Sequence, residues 1–193
     1  GSYKNTLSLL QKALNFFPAD PAALSLFAKS YLYLWDLSKK DDDFLNAVRL
    51  LIDRALKIAP DHVDSLLAKT LWLIRKKERA EAQKLISRLI QENPYHGEAF
   101  LIEGELFFLQ SLWNKAIASF QKTLELDPAW VRAHYFLGKS YQKKTNPEKA
   151  YEHYWIGLNL HPEHGLMRLE ASLIDIQTFN NLTKAEGNLK IVI

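Results

Sequence analysis

His161, Glu163 and His164 flank Pro162, and His153 stands eight residues before His161, so the first chemistry to weigh is metal ligation by imidazole and carboxylate. The group falls where a turn between helices is expected. Polar side chains are ordinary there, and nothing nearby would orient the imidazoles as ligands need, so no metal is expected. Asp41-Asp42-Asp43 is a second acidic cluster. It lacks the alternating oxygen ligands and glycine of a calcium loop and reads as a solvated loop with an acidic start to the next helix. Asn181-Leu182-Thr183 matches a glycosylation acceptor by pattern alone. The chain has no glycine-rich phosphate loop, no Gly-x-Ser-x-Gly elbow and no His-Glu-x-x-His pair. An enzyme is therefore not expected, and neither is a cofactor. The absence of cysteine excludes disulfides, thiolate metal sites and a cysteine nucleophile, and it suits a reducing or an oxidising compartment. The compartment stays open, with the cytoplasm ahead of the periplasm.

The elements that would position any site follow from four prolines. Pro60, Pro94, Pro128 and Pro162 stand 34 residues apart, each closing a run of apolar, helix-forming sequence. Twelve residues before each proline stands a small or short residue, Val48, Ala82, Ala116 or Ala150, where two helices must approach closely. Eight before it stands a bulky one, Ile52, Ile86, Phe120 or Tyr154, and four before it Leu56, Ile90, Leu124 or Leu158, a single helical stripe. Pro18 ends the same pattern 42 residues before Pro60, so that unit carries eight extra residues around Trp35 to Asp42. A unit this short cannot bury its own apolar face and must stack on its neighbours.

The first half of each unit has marks of its own. Ala99-Phe100, Gly104, Phe107, Ala116, Phe120 and Pro128 form one set, and Leu137-Gly138, Tyr141, Ala150, Tyr154 and Pro162 another. These runs resemble the tetratricopeptide repeat over residues 3–178, with weaker matches in the units ending at Pro60 and Pro94. The resemblance implies an all-α, right-handed solenoid of antiparallel helix pairs, with the first (A) helices lining a concave groove. The reading is a cloning scar at residues 1–2, then a repeat domain over 3–178, then a tail over 179–193. The domain comprises a B helix at 3–17, repeats near 21–60, 63–94, 97–128 and 131–162, and a terminal A helix at 165–178. A chain opening on a lone B helix and closing on a lone A helix is expected to be part of a longer protein.

The family pattern assigns a set of A-helix places to the groove. They give Leu67, Leu71 and Ile74, then Leu101, Ile102 and Phe108, then Tyr135 and Phe136. Charges in the groove, Glu98 and Glu105 on the third A helix and Arg132, Lys139 and Lys143 on the fourth, would orient the ligand. The asparagines with which some family members grip a peptide carboxylate are missing, so an apolar or amphipathic, helical peptide partner is expected instead. The function expected is that of a non-enzymatic adaptor. The alternatives are a regulatory or sensory segment of a larger signalling or transcription-regulating protein, and RNA binding through a basic rim. That rim carries Lys39, Lys40, Arg75, Lys76, Lys77, Arg79, Lys143 and Lys144, but Asp41, Asp42, Asp43, Glu78, Glu81 and Glu148 interrupt it. With a net charge of +3 over 193 residues, nucleic acid is not the expected partner. No apolar run reaches the roughly 18 residues of a membrane span.

The repeat template fails past Asn180, where Lys184, Asn188 and Ile191 would fall at its small, bulky and small places and Gly187 would weaken a helix. The fifth A helix is therefore expected to have no partner from its own repeat. Leu189, Ile191, Val192 and Ile193 could cover it, or a second copy of the chain could do so by self-association.

Overall fold

The computed structural model describes residues 19–35 and 42–189, together with Lys12. Apart from Lys12, the predicted B helix at 3–17 lies outside the described residues, as do residues 36–41 of the insertion and residues 190–193. Among the described residues the regular elements are ten helices: α1 Pro21–Trp35, α2 Asp42–Ile58, α3 Val63–Arg75, α4 Arg79–Glu92, α5 Gly97–Leu109, α6 Trp113–Leu126, α7 Val131–Lys143, α8 Pro147–Leu160, α9 Gly165–Gln177 and α10 Leu182–Leu189. They form two compact units that divide after Pro94.

In the first unit, α1 packs on α2 and α3, and α3 on α2 and α4. Leu24, Phe27, Ala28 and Leu32 of α1 are buried, as are Leu45, Val48, Ile52 and Ala55 of α2. Two polar contacts set α3 in place. The Trp72 indole N–H donates to the Leu45 carbonyl at 2.8 Å, and Lys29 of α1 pairs with Asp64 at 2.8 Å.

In the second unit, α5 pairs with α6, α7 with α8 and α9 with α10, while α7 also packs on α6 and α9 on α8. The small template residues work as expected: Ala116 and Ala150 are wholly buried where helices cross. Gly104 and Gly138 let bulky rings through. A Cβ on Gly104 would lie 2.4 Å from the Phe120 ring, and one on Gly138 would lie 2.3 Å from the Tyr154 ring. Phe120 joins Leu101, Ala116, Ile117, Ala133 and Leu137 in one buried cluster. Tyr154 joins Ala150, Leu158, Met167, Ala171 and Ile174 in a second.

The A-to-B turns share a device that carries no glycine signal. Lys77, Ser111 and Thr145 all take left-handed backbone, with φ of 64°, 60° and 53°. In each turn the next amide bonds back to the final turn of the A helix: Glu78 to the Leu73 carbonyl, Leu112 to Phe107, and Asn146 to Tyr141, at 2.9, 2.9 and 3.0 Å. This closure satisfies carbonyls that the helix end would otherwise leave bare. Asn146 then caps α8, its side chain accepting from the Lys149 amide at 3.1 Å.

The expectation that α9 lacks a partner is corrected. Residues 182–189 form α10, which packs on α9 with Ala185 and Asn188 buried. Asn188 donates to the Asp175 carboxylate at 3.3 Å, and Tyr151 of α8 donates to its other oxygen at 2.8 Å. A polar anchor thus holds a helix whose sequence departs from the apolar template.

Candidate interaction face

The second unit brings the larger part of the predicted groove set onto α5 and α7. Its centre is a run of aromatic rings. Phe108 meets Phe136 edge to face at 5.5 Å and Trp113 at 5.1 Å. Phe136 also stacks on the buried Phe120 at 5.5 Å and meets Tyr135 edge to face at 5.3 Å. Tyr135 continues the run to His164 at the start of α9, 5.5 Å away. Phe108, Tyr135 and Phe136 are all part-exposed, so one side of each ring packs and another meets solvent.

Of the charges expected to orient a ligand, Glu105, Arg132 and Lys139 are engaged in ion pairs. Arg132 grips Glu105 with two N–H groups, at 2.5 and 3.0 Å, and its guanidinium lies 5.2 Å over the Phe136 ring. Glu105 is buried and Arg132 about one-third exposed, so this bidentate pair joins α5 to α7 in partly dry surroundings. Lys139 pairs with Glu170 of α9 at 2.6 Å, and Gln142 donates to the other oxygen of that carboxylate at 3.0 Å. Gln142 in turn accepts from the Tyr154 hydroxyl at 2.7 Å. Lys143, on the last turn of α7, is exposed.

The remaining predicted contacts are corrected. Leu67 and Leu71 of α3 and Leu101 and Ile102 of α5 are fully buried, and Ile74 nearly so. Their side chains present no surface to a ligand. Leu101 packs against Ala116, Phe120, Ala133 and Leu137, which is core. Glu170 and Gln142, which the sequence reading passed over, complete the face with His164, which it weighed as a metal ligand. The signal that could have found the first is opposite charge on successive A helices: Arg132 follows Glu105 by 27 residues and Glu170 follows Lys139 by 31.

The imidazoles weighed as ligands are dispersed. His153 bonds His134 through their Nδ1 atoms at 3.2 Å, while His134 Nε2 faces the Pro128 carbonyl oxygen at 3.1 Å. That carbonyl requires a proton on His134 Nε2, which leaves its Nδ1 as the acceptor and makes His153 Nδ1 the donor. His164 caps α9, its Nδ1 accepting from the Met167 amide at 3.2 Å. Among the described residues no three His, Cys, Asp or Glu side chains gather closely enough to hold a metal. An open recess of about 310 Å³ in the first unit is lined by Arg49, Asp53, Lys69, Glu78 and Glu81 with Ile52, Trp72 and Leu73. Its charges are mixed in sign, which favours solvent over a single ionic ligand. None of the described helices is long and apolar enough to cross a membrane.

No family model matches the chain. A Protein CTR9 homolog of Arabidopsis thaliana is 28% identical over 165 residues, an alignment covering 80% of this chain and 14% of the relative. The chain therefore spans about a seventh of that relative's length. Among solved structures, a human IFIT1 dimer with m7Gppp-AAAA is similar at a TM-score of 0.82 and 20% identity, covering 98% of this chain and 45% of that one. TTC0263, a thermophilic TPR protein in Thermus thermophilus, is similar at a TM-score of 0.72 and 19% identity, covering 89% of each chain. The fold is that of the tetratricopeptide-repeat proteins, an all-α solenoid class built of antiparallel helix pairs.

Proposed function

We propose that the chain is a non-enzymatic adaptor that receives an apolar or amphipathic, helical peptide segment on the α5–α7 face of its second unit. Phe108, Tyr135 and Phe136 are the anchors. The observation that carries this reading is the combination of part-exposed rings with charges already paired. Arg132 with Glu105, and Lys139 with Glu170, offer little uncompensated charge, so an ionic ligand gains little there and an apolar one loses little on desolvation. Binding energy in such interfaces concentrates in a few aromatic anchors ringed by groups that exclude water. Lys143 is exposed on the last turn of α7, where charge sets register and association rate more than affinity.

The test is selection of binders from a displayed library of amphipathic peptides, followed by affinity measurement on Phe108→Ala and Phe136→Ala chains. The reading expects affinity to fall in both. It also expects little dependence on salt, because the charges on this face are engaged with one another.

RNA binding is the second reading, and the similarity to human IFIT1, a protein solved with m7Gppp-AAAA, is the observation that favours it. In this chain three rim or near-rim lysines are held by neighbours. Lys144 bonds Asn114, Lys115 lies over the Phe107 ring and Lys149 over the Tyr141 ring. A gel shift with a capped oligonucleotide, repeated across a salt series, separates the two readings, since phosphate-driven binding weakens steeply with salt.

A further inference from the structure

Apart from the ring face on α5 and α7, one cluster of side chains in the second unit has the chemistry of a binding site, and it is filled rather than open. Lys184 of α10 lays its ammonium over two rings of α8, 5.1 Å from the centre of Tyr151 and 5.0 Å from that of Trp155. Trp155 and Phe179 both meet the Tyr151 ring edge to face, at 6.0 and 5.1 Å. Behind the rings stands Asp175 of α9, a buried carboxylate. It accepts from the Tyr151 hydroxyl at 2.8 Å and from Asn188 at 3.3 Å, both neutral donors. A hydrogen bond to Tyr151, and after it the Asp175 charge, hold the Lys184 ammonium protonated above the ordinary lysine range. Ring faces backed by a buried acid are the components of an ammonium site.

The distances suit a different ammonium better than the resident one. Five ångströms from a ring centre, a bare ammonium stands off the ring. A methyl carbon lies about 1.5 Å from the nitrogen that bears it. Such a carbon directed at either ring would come to about 3.5 Å, which is packing distance. The two rings thus leave room for methyl groups where Lys184 carries only protons.

We propose that Tyr151, Trp155 and Asp175 form a receptor for a methylated lysine of a partner protein, and that Lys184 is its resident competitor. The resident itself selects the occupant. A lysine arm already reaches over the two rings with its ammonium between them and the acid, so a lysine arm from another chain fits the same entrance. Methylation keeps the charge that Asp175 faces and adds the apolar surface that the ring faces lack. Lys184 is exposed, so its side chain can swing into solvent while α10 stays held by Asn188 on Asp175. Because the resident arm is tethered, it competes at an effective concentration of about millimolar or above.

Two-dimensional NMR of the intact chain tests this through the Trp155 indole N–H, one of five in the chain, identified by its loss in Trp155→Phe. The probe is N-acetyl-trimethyllysine amide. Removing the competitor in Lys184→Ala is expected to tighten its binding by about tenfold or more over wild type. Lys184→Gln, which keeps a helix-forming side chain without the charge, should do the same, and hydrogen exchange in α10 shows which of the two variants keeps that helix docked. In that variant the unmethylated probe, N-acetyllysine amide, should bind about tenfold more weakly than the trimethylated one. Tyr151→Leu, combined with it, should abolish binding. Equal affinity in wild-type and Lys184-substituted chains, indifference to methylation, or an unmoved Trp155 signal overturns the proposal. Choline binding more tightly than the trimethyllysine probe overturns the protein partner in favour of a lipid headgroup.

Discussion

The Tyr154 ring occupies the space that a side chain on Gly138 would need: a Cβ there would stand 2.3 Å from ring carbon Cε1. Tyr154 cannot withdraw cheaply, because it is wholly buried and its hydroxyl is bonded to Gln142. Gly138→Ala is expected to lower stability by about 1–3 kcal/mol through overpacking, read as a fall in the thermal or urea midpoint. An unchanged midpoint would mean that α7 and α8 can separate at no cost.

Arg132 and Glu105 hold α7 to α5, and Glu105 is the buried partner. Glu105→Gln leaves the guanidinium without a counter-charge and is expected to cost about 2 kcal/mol, less than a fully dry pair because Arg132 keeps contact with solvent. A double-mutant cycle with Arg132→Ala isolates the coupling. A coupling near zero would show the pair to be an accident of proximity.

The His134–His153 pair makes stability depend on pH. Burial holds both imidazoles below their ordinary value of 6.5, and for His153 the neighbouring His134 adds to the effect. Lys149 lowers His153 further and Glu152 opposes this, while the Pro128 carbonyl raises His134. The folded chain thus binds these protons at lower pH than the unfolded chain does. Their contribution is complete above about pH 6.5 and is lost as pH falls toward the folded values. Urea unfolding from pH 7.5 downward should show stability declining below about 6.5. The decline should be shallower in His153→Phe, which keeps a ring against Tyr141. An equal slope in the variant would assign the pH dependence elsewhere.

Local sequence carried much of the fold. Proline ends each long B helix, alanine stands where helices cross, and glycine sits opposite Phe120 and Tyr154, because helix ends and crossings are short-range matters of backbone and volume. The interaction face was harder to read. Leu101 and Tyr135 hold the same repeat place, yet one is core and the other part-exposed. That difference depends on the bulk of the neighbouring helix, which periodicity does not encode. The pairing of Glu105 with Arg132 lies across helices for the same reason. The helix at 182–189 was missed because its hold on α9 is a polar one, Asn188 on Asp175, where the template asks for apolar bulk.

The central claim, that rings on the α5–α7 face hold an apolar partner, is tested most directly by titrating a library-selected amphipathic peptide against wild-type, Phe108→Ala and Phe136→Ala chains. Phe120→Ala, expected to cost about 3–5 kcal/mol of stability by opening a cavity, serves as the folding control. The account expects each face substitution to weaken binding by about 2 kcal/mol or more while circular dichroism stays helical. Undiminished affinity in both folded variants would contradict it and move recognition off this face.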